Sequence, residues 1–113
     1  FIKNFGQLNY FSILNSALFV LGNSSSGLIE APYFNTPTVD IGKRQNGRIK
    51  GNSVLNVDVN VNDIFQAIKK VQSKKNKLKP ELLYGNGGST DKIIGILENL
   101  PKPAIIKKFN KIV

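Results

Sequence analysis

Three groups of residues in this chain are spaced for chemistry on an anion. Ser24, Ser25 and Ser26 follow Gly22-Asn23 directly after an apolar run, Leu18 to Leu21. Small hydroxyl residues where a strand breaks into a helix leave bare N–H groups for a phosphate to approach, with hydroxyl donors beside them. Glu30 stands four residues beyond Ser26, one helical turn along on the same face, where a carboxylate can accept from both hydroxyls of a ribose. Arg44 and Arg48 lie in Gly42-Lys43-Arg44-Gln45-Asn46-Gly47-Arg48, and a guanidinium matches phosphate oxygens with paired donors as a lysine cannot. Together these residues suggest a nucleotide. They also suit a plainer reading: Asn23 or Ser24 caps a helix, Glu30 is solvated, and both arginines are exposed loop charges.

The chain around these residues reads as alternating strands and helices. Tyr10, Phe11, Leu14 and Ala17 fall at helical spacing within Gln7 to Ala17, which predicts an amphipathic helix with that face inward. Leu18 to Leu21 has no polar alternation, as expected of a parallel strand covered on both faces. A short helix then carries Glu30 as far as Tyr33, and Asn35-Thr36-Pro37 makes a turn. Thr38 to Gly42 is a second strand of alternating character. Strand, helix and strand form a βαβ unit, whose loops at the carboxyl ends of the strands, Gly22 to Ser26 and Gly42 to Gly47, would face one crevice.

Val54 to Val59 alternates as a third strand. Asn60 or Asn62 can cap a helix from Asp63 to about Gln72 that buries Ile64, Phe65, Ile68 and Val71. Lys74 to Pro80 reads as a polar connector. Tyr84-Gly85-Asn86-Gly87-Gly88 lacks the lysine and hydroxyl of a P-loop and reads as a turn. The last helix, Thr90 to Leu100, places Ile93, Ile94, Leu97 and Leu100 at core spacing. Pro101-Lys102-Pro103 ends it, and the tail to Val113 has enough apolar residues for a short packed helix. The expected organisation is one α/β domain over residues 1–100 and a helical tail over 101–113.

Composition narrows the chemistry. At 113 residues the chain suits one core. It has no cysteine and no histidine, which removes disulfides, thiolate metal sites and the commonest general base from its repertoire. No metal site or cofactor is expected. No apolar run is long enough for a membrane span or secretory signal, so the expected address is cytoplasmic with no membrane partner. The chain starts at Phe1 without a methionine, and is expected to be a processed or excised piece of something longer.

Sixteen basic residues against 7 acidic ones give a formal charge of +9, which points to anionic partners. Lys69, Lys70, Lys74, Lys75, Lys77 and Lys79 cluster at one helix end and the loop after it. Aromatic residues and arginines are not interleaved with them as base stacking would want, so a solvated surface is favoured over a nucleic-acid interface.

The set Gly22-Asn23-Ser24-Ser25-Ser26-Gly27, Glu30-Ala31-Pro32, Pro37-Thr38-Val39, Ile41-Gly42-Lys43-Arg44-Gln45 with Gly47-Arg48, and Tyr84-Gly85-Asn86-Gly87 resembles one family. These are the hydrolysing UDP-N-acetylglucosamine 2-epimerases of sialic-acid and related nonulosonic-acid synthesis. The resemblance covers most of residues 1–100. It implies a Rossmann-like parallel sheet with flanking helices, the carboxyl-terminal half of a glycosyltransferase-B-type fold. Ser24 and Ser25 would then meet the diphosphate, Glu30 the ribose hydroxyls and Arg44 the phosphate side, while Lys3, Asn4 and Phe5 fall where the family contacts uracil.

The implied partners are a UDP-sugar substrate, UDP, a missing amino-terminal domain and, in the full-length enzyme, further copies of itself. The family's acid and base carboxylates and its histidine belong to parts absent from this chain, so no catalytic residue is expected here and the chain alone should bind without turnover. Asp40 stands where the family commonly has a neutral asparagine, which leaves a related sugar such as a diacetamido-sugar precursor open. Two other classes remain at this point: a basic module binding nucleic acid or an acidic partner, and a structural fragment that self-associates through an exposed apolar face.

Overall fold

The computed structural model describes residues 2–101. The helical tail expected at 101–113 therefore lies, apart from Pro101, outside the described residues.

α1 (Gln7–Ser16) leads into β1 (Val20–Gly22), α2 (Ser26–Ile29) and a 3₁₀ turn (Ala31–Phe34). β2 (Thr38–Ile41), β3 (Val54–Val57), α3 (Val61–Gln72), a short 3₁₀ turn (Lys75–Lys77) and α4 (Ser89–Glu98) follow. The three strands form one parallel sheet in the order β1-β2-β3, with Val20 opposite Thr38 and Thr38 opposite Val54. The chain is thus an α/β protein with a parallel sheet flanked by helices. Among the described residues no helix is long and apolar enough to cross a membrane.

Alternation along β2 sorts the two layers. Val39 points to one face, where it forms a core with Ala67 and Val71 of α3, and Phe19, Ile41, Leu55, Val57 and Ile68 pack around it. Thr38 points to the other, where its hydroxyl donates to the Gly27 carbonyl at 2.8 Å. A Cβ on Gly27 would stand 2.5 Å from Thr38 Cγ2, so the absence of a side chain there lets α2 lie directly on the strand. α1 docks outside this layer on the 3₁₀ turn: Phe11 meets Phe34 with ring centroids 5.5 Å apart, and Thr36 Oγ1 donates to the Leu14 carbonyl at 2.6 Å. Tyr10, Phe11, Leu14 and Ala17 are the shielded face of α1, as the periodicity predicts.

Several expectations change. The run Leu18 to Leu21 is not covered on both faces. β1 begins at Val20 and forms an edge, leaving Leu18 61% and Leu21 49% exposed. β2 is instead the strand buried on both faces, because it alone has a neighbour on each side. β3 stops at Val57, leaving Val59 exposed.

α3 starts at Val61, capped by Asn60, whose Oδ1 accepts the N–H groups of Asn62 and Asp63. Its Phe65 is 56% exposed with Lys69 Nζ over the ring at 4.6 Å, and Ala67 takes the core position. The connector is not wholly solvated: Lys75 Nζ donates to the carbonyls of Asn15 and Ala17, a cation at the carboxyl end of α1. α4 runs from Ser89 to Glu98 and buries none of its residues, so its apolar face is not a core face within the described chain.

Candidate functional site

β1 and β2 end side by side, with Gly22 opposite Asp40, and the chain turns away from the sheet at Gly22 and Gly42. Gly42 turns with φ of 78°, a conformation open to glycine and strained for other residues. The two loops that follow meet at one backbone atom. The carbonyl of Asn23 accepts from Arg44 Nη1 at 2.9 Å and from Gln45 Nε2 at 2.6 Å. Arg44 is exposed, and that bond uses one of its guanidinium nitrogens beside the serine run. Gln45 is buried. Sequence reasoning missed Gln45, because an uncharged polar residue inside a loop carries no periodicity and no charge to mark it.

Ser24 is exposed, and its hydroxyl accepts the Ser26 N–H at 3.3 Å, so it also caps the turn into α2. Ser25 is half-buried. Ser26 Oγ bonds the Tyr10 hydroxyl, which ties α1 to the start of α2.

The Glu30 N–H bonds the Ser26 carbonyl at 3.0 Å, so Glu30 does lie one turn beyond the serines, at the junction of α2 with the 3₁₀ turn. Together with Phe11, Ile29, Tyr33 and Phe34 it lines an apolar cavity of about 280 Å³. Its Oε2 is buried and has no hydrogen-bond partner among the described residues.

Lys3, Asn4 and Phe5 are exposed just before α1, with local bonds: Asn4 Oδ1 accepts the Gly6 N–H at 2.7 Å, and the Phe5 carbonyl accepts from Asn9 at 3.0 Å. No described hydrogen bond joins them to the serine run. The described link between the two runs through α1, whose Tyr10 hydroxyl bonds Ser26 Oγ.

A third segment, Glu81 to Gly85, of which the sequence marks the glycine-rich turn but not Glu81, bonds the second loop and the 3₁₀ turn. Glu81 accepts the Asn52 N–H at 2.9 Å and the Ser53 hydroxyl at 3.1 Å, while its own N–H donates to the Pro32 carbonyl at 3.2 Å. Tyr84 donates to the Ile49 carbonyl at 2.8 Å, and Tyr33 donates to the Gly85 carbonyl. The glycine-rich run around Gly85 is therefore a strap across the 3₁₀ turn and the second loop. Neither a cavity of about 350 Å³ beside β3 and α3 nor one of about 380 Å³ against α1 contains any of the predicted site residues. Among the described residues no cluster of acidic side chains is arranged to hold a metal.

A parallel sheet with helices on both faces, its loops gathered at the carboxyl ends of neighbouring strands, defines an α/β domain of the Rossmann-like class. A family model described as UDP-N-acetylglucosamine 2-epimerase matches residues 1–98, and the chain belongs to that family.

It is similar to the GDP/UDP-N,N'-diacetylbacillosamine 2-epimerase (hydrolyzing) of Campylobacter jejuni, 42% identical over 74 residues, 66% of this chain and 19% of that protein. It is 34% identical over 100 residues to the UDP-N,N'-diacetylbacillosamine 2-epimerase (hydrolyzing) of Legionella pneumophila, 88% of this chain and 26% of that protein. With the UDP-N-acetylglucosamine 2-epimerase of Neisseria meningitidis the identity is 38% over 85 residues, 74% of this chain and 22% of that protein. The matches thus span 19 to 26% of the length of these relatives.

Proposed function

We propose that this chain is the UDP-holding, carboxyl-terminal part of a hydrolysing nucleotide-sugar 2-epimerase. The diphosphate lies on the amides and hydroxyls of Ser24 and Ser25 and meets the Arg44 guanidinium. Glu30 accepts from the ribose hydroxyls, and Lys3, Asn4 and Phe5 approach the uracil. The observation that carries the reading is the double hydrogen bond to the Asn23 carbonyl, which keeps a guanidinium next to the serine run. The unpartnered Glu30 oxygen adds to it.

In the reaction the family resemblance implies, UDP leaves UDP-N-acetylglucosamine to give a glycal-like intermediate, and water adds to yield N-acetylmannosamine. Charge develops on the departing diphosphate. Donors already held in place lower that barrier because they need not reorganise as the charge appears. The acid and base that break the sugar bonds belong to a further domain, so this chain binds nucleotide without turning it over.

The sugar is an N-acetylated hexosamine or a diacetamido relative, since the similar proteins are named for both kinds. Such a product enters sialic-acid-type synthesis in the cytoplasm, and the full-length enzyme is a homo-oligomer.

Calorimetric titration of the 113-residue chain with UDP tests the binding role. Saturable binding is expected, weakened at least about tenfold, or 1.4 kcal/mol, in Glu30→Ala and in Arg44→Ala. Absence of binding, or binding unchanged in both variants, contradicts the reading. Affinity that falls steeply with salt and ignores Glu30 would belong to a basic surface instead.

A further inference from the structure

Among the described residues Asp40 is the only ionisable side chain that is fully buried, and the nucleotide reading gives it no role. It points to the same face of β2 as Thr38, at the end of the strand from which the Arg44 loop departs. A carboxylate out of water is tolerated only when paired and hydrogen-bonded. Here Oδ2 receives Lys50 Nζ at 2.9 Å and Asn56 Nδ2 at 3.0 Å.

These partners come from functionally separate places. Lys50 belongs to the returning arm of the loop that leaves the sheet at Gly42 and carries Arg44 and Gln45. Asn56 belongs to β3, and its amide also donates to the carbonyls of Asp40 and Gly42, both at 2.9 Å. One carboxylate thus closes the loop on itself and fastens it to the sheet at its point of exit. Arg44, in the same loop, is exposed and has one described side-chain hydrogen bond, to the Asn23 carbonyl.

We infer that Asp40, through Lys50, is a positioning residue that fixes the Arg44 loop against the serine run, a role that rests on the nucleotide reading only for what Arg44 then meets. Lys50 is directed inward by this pair and is not itself a phosphate ligand.

Two measurements on the 113-residue chain, UDP affinity and amide hydrogen exchange, test it. Asp40→Ala is expected to weaken UDP about tenfold and to speed exchange at Asn46 and Arg48, whose N–H groups bond within the loop, by at least as much. The weakening is informative because the substitution removes a negative charge near the diphosphate, and Coulomb attraction alone would then tighten binding. Lys50→Gln, which keeps a donor and leaves Asp40 in place, reads the same loop if Asp40→Ala does not fold.

With a parent chain that binds UDP, either readout left unchanged in the folded variant overturns the assignment, a fall in thermal stability alone included. With a parent chain that does not bind UDP, the nucleotide reading fails separately. Exchange then decides: faster exchange in the loop supports Asp40 as its anchor, and unchanged exchange refutes it.

Discussion

The mouth formed at the ends of β1 and β2 and the helix α4 are opposite cases in one small protein. At the mouth, residues that look polar and irregular in sequence are held by a mesh: Arg44 and Gln45 on Asn23, and Lys50 and Asn56 on Asp40. In and just after α4, Ile93, Ile94, Leu97 and Leu100 give a strong helical pattern, yet all four are 46 to 60% exposed. Periodicity therefore reports which face of an element is apolar and says nothing of what covers it. Loop structure is the converse. It is fixed by side-chain bonds to backbone groups that have no period at all.

Substitutions that strike these two regions unequally sharpen the contrast. Gly27→Ala should have the largest effect, about 1–3 kcal/mol of destabilisation, because the new methyl meets Thr38 Cγ2 at 2.5 Å and α2 must lift from β2. In a thermal melt each kcal/mol lowers the midpoint by roughly 4–8 °C for a domain of this size. A midpoint unchanged in Gly27→Ala would mean that the helix does not rest on the strand.

Gln45→Ala should follow, at about 1–2 kcal/mol, since it removes a buried amide and one of the two donors to the Asn23 carbonyl. It should also speed hydrogen exchange at Gly27 and Leu28, whose N–H groups bond Ser24 and Ser25. Glu81→Ala should cost about 1 kcal/mol and release the strap, which limited proteolysis near Gly85 would detect. Leu97→Ser should be the smallest, within about 0.5 kcal/mol of the parent. A loss of 2 kcal/mol or more there would show that α4 is packed within this chain, and the comparison would fail.

How far the sequence reveals this arrangement depends on the kind of residue. The inward face of α1, the βα order and the meeting of the serine and arginine loops are legible, because apolar spacing and parallel topology dictate them. The central strand is not. Leu18 to Leu21 is more apolar than Thr38 to Ile41, yet β2 lies in the middle because pairing order, a long-range property, sets which strand has two neighbours. Phe65 and Ala67 exchange their expected burial because α3 approaches the sheet closely enough that the small residue faces it. Lys75 is indistinguishable in sequence from its neighbouring lysines, and only the packing of α1 brings two helix-end carbonyls within its reach. Gln45 and Glu81 are invisible for the same reason: their partners are backbone atoms more than twenty residues away.

The proposed binding of uridine diphosphate across the mouth of the two loops can be followed by mapping amide chemical shifts of the 113-residue chain during UDP titration. Saturable shifts are expected at Asn23 to Ser26, at Glu30 and at Gly42 to Gln45. Shifts confined to the lysines of Lys69 to Lys79, or no saturable shift at all, would contradict it.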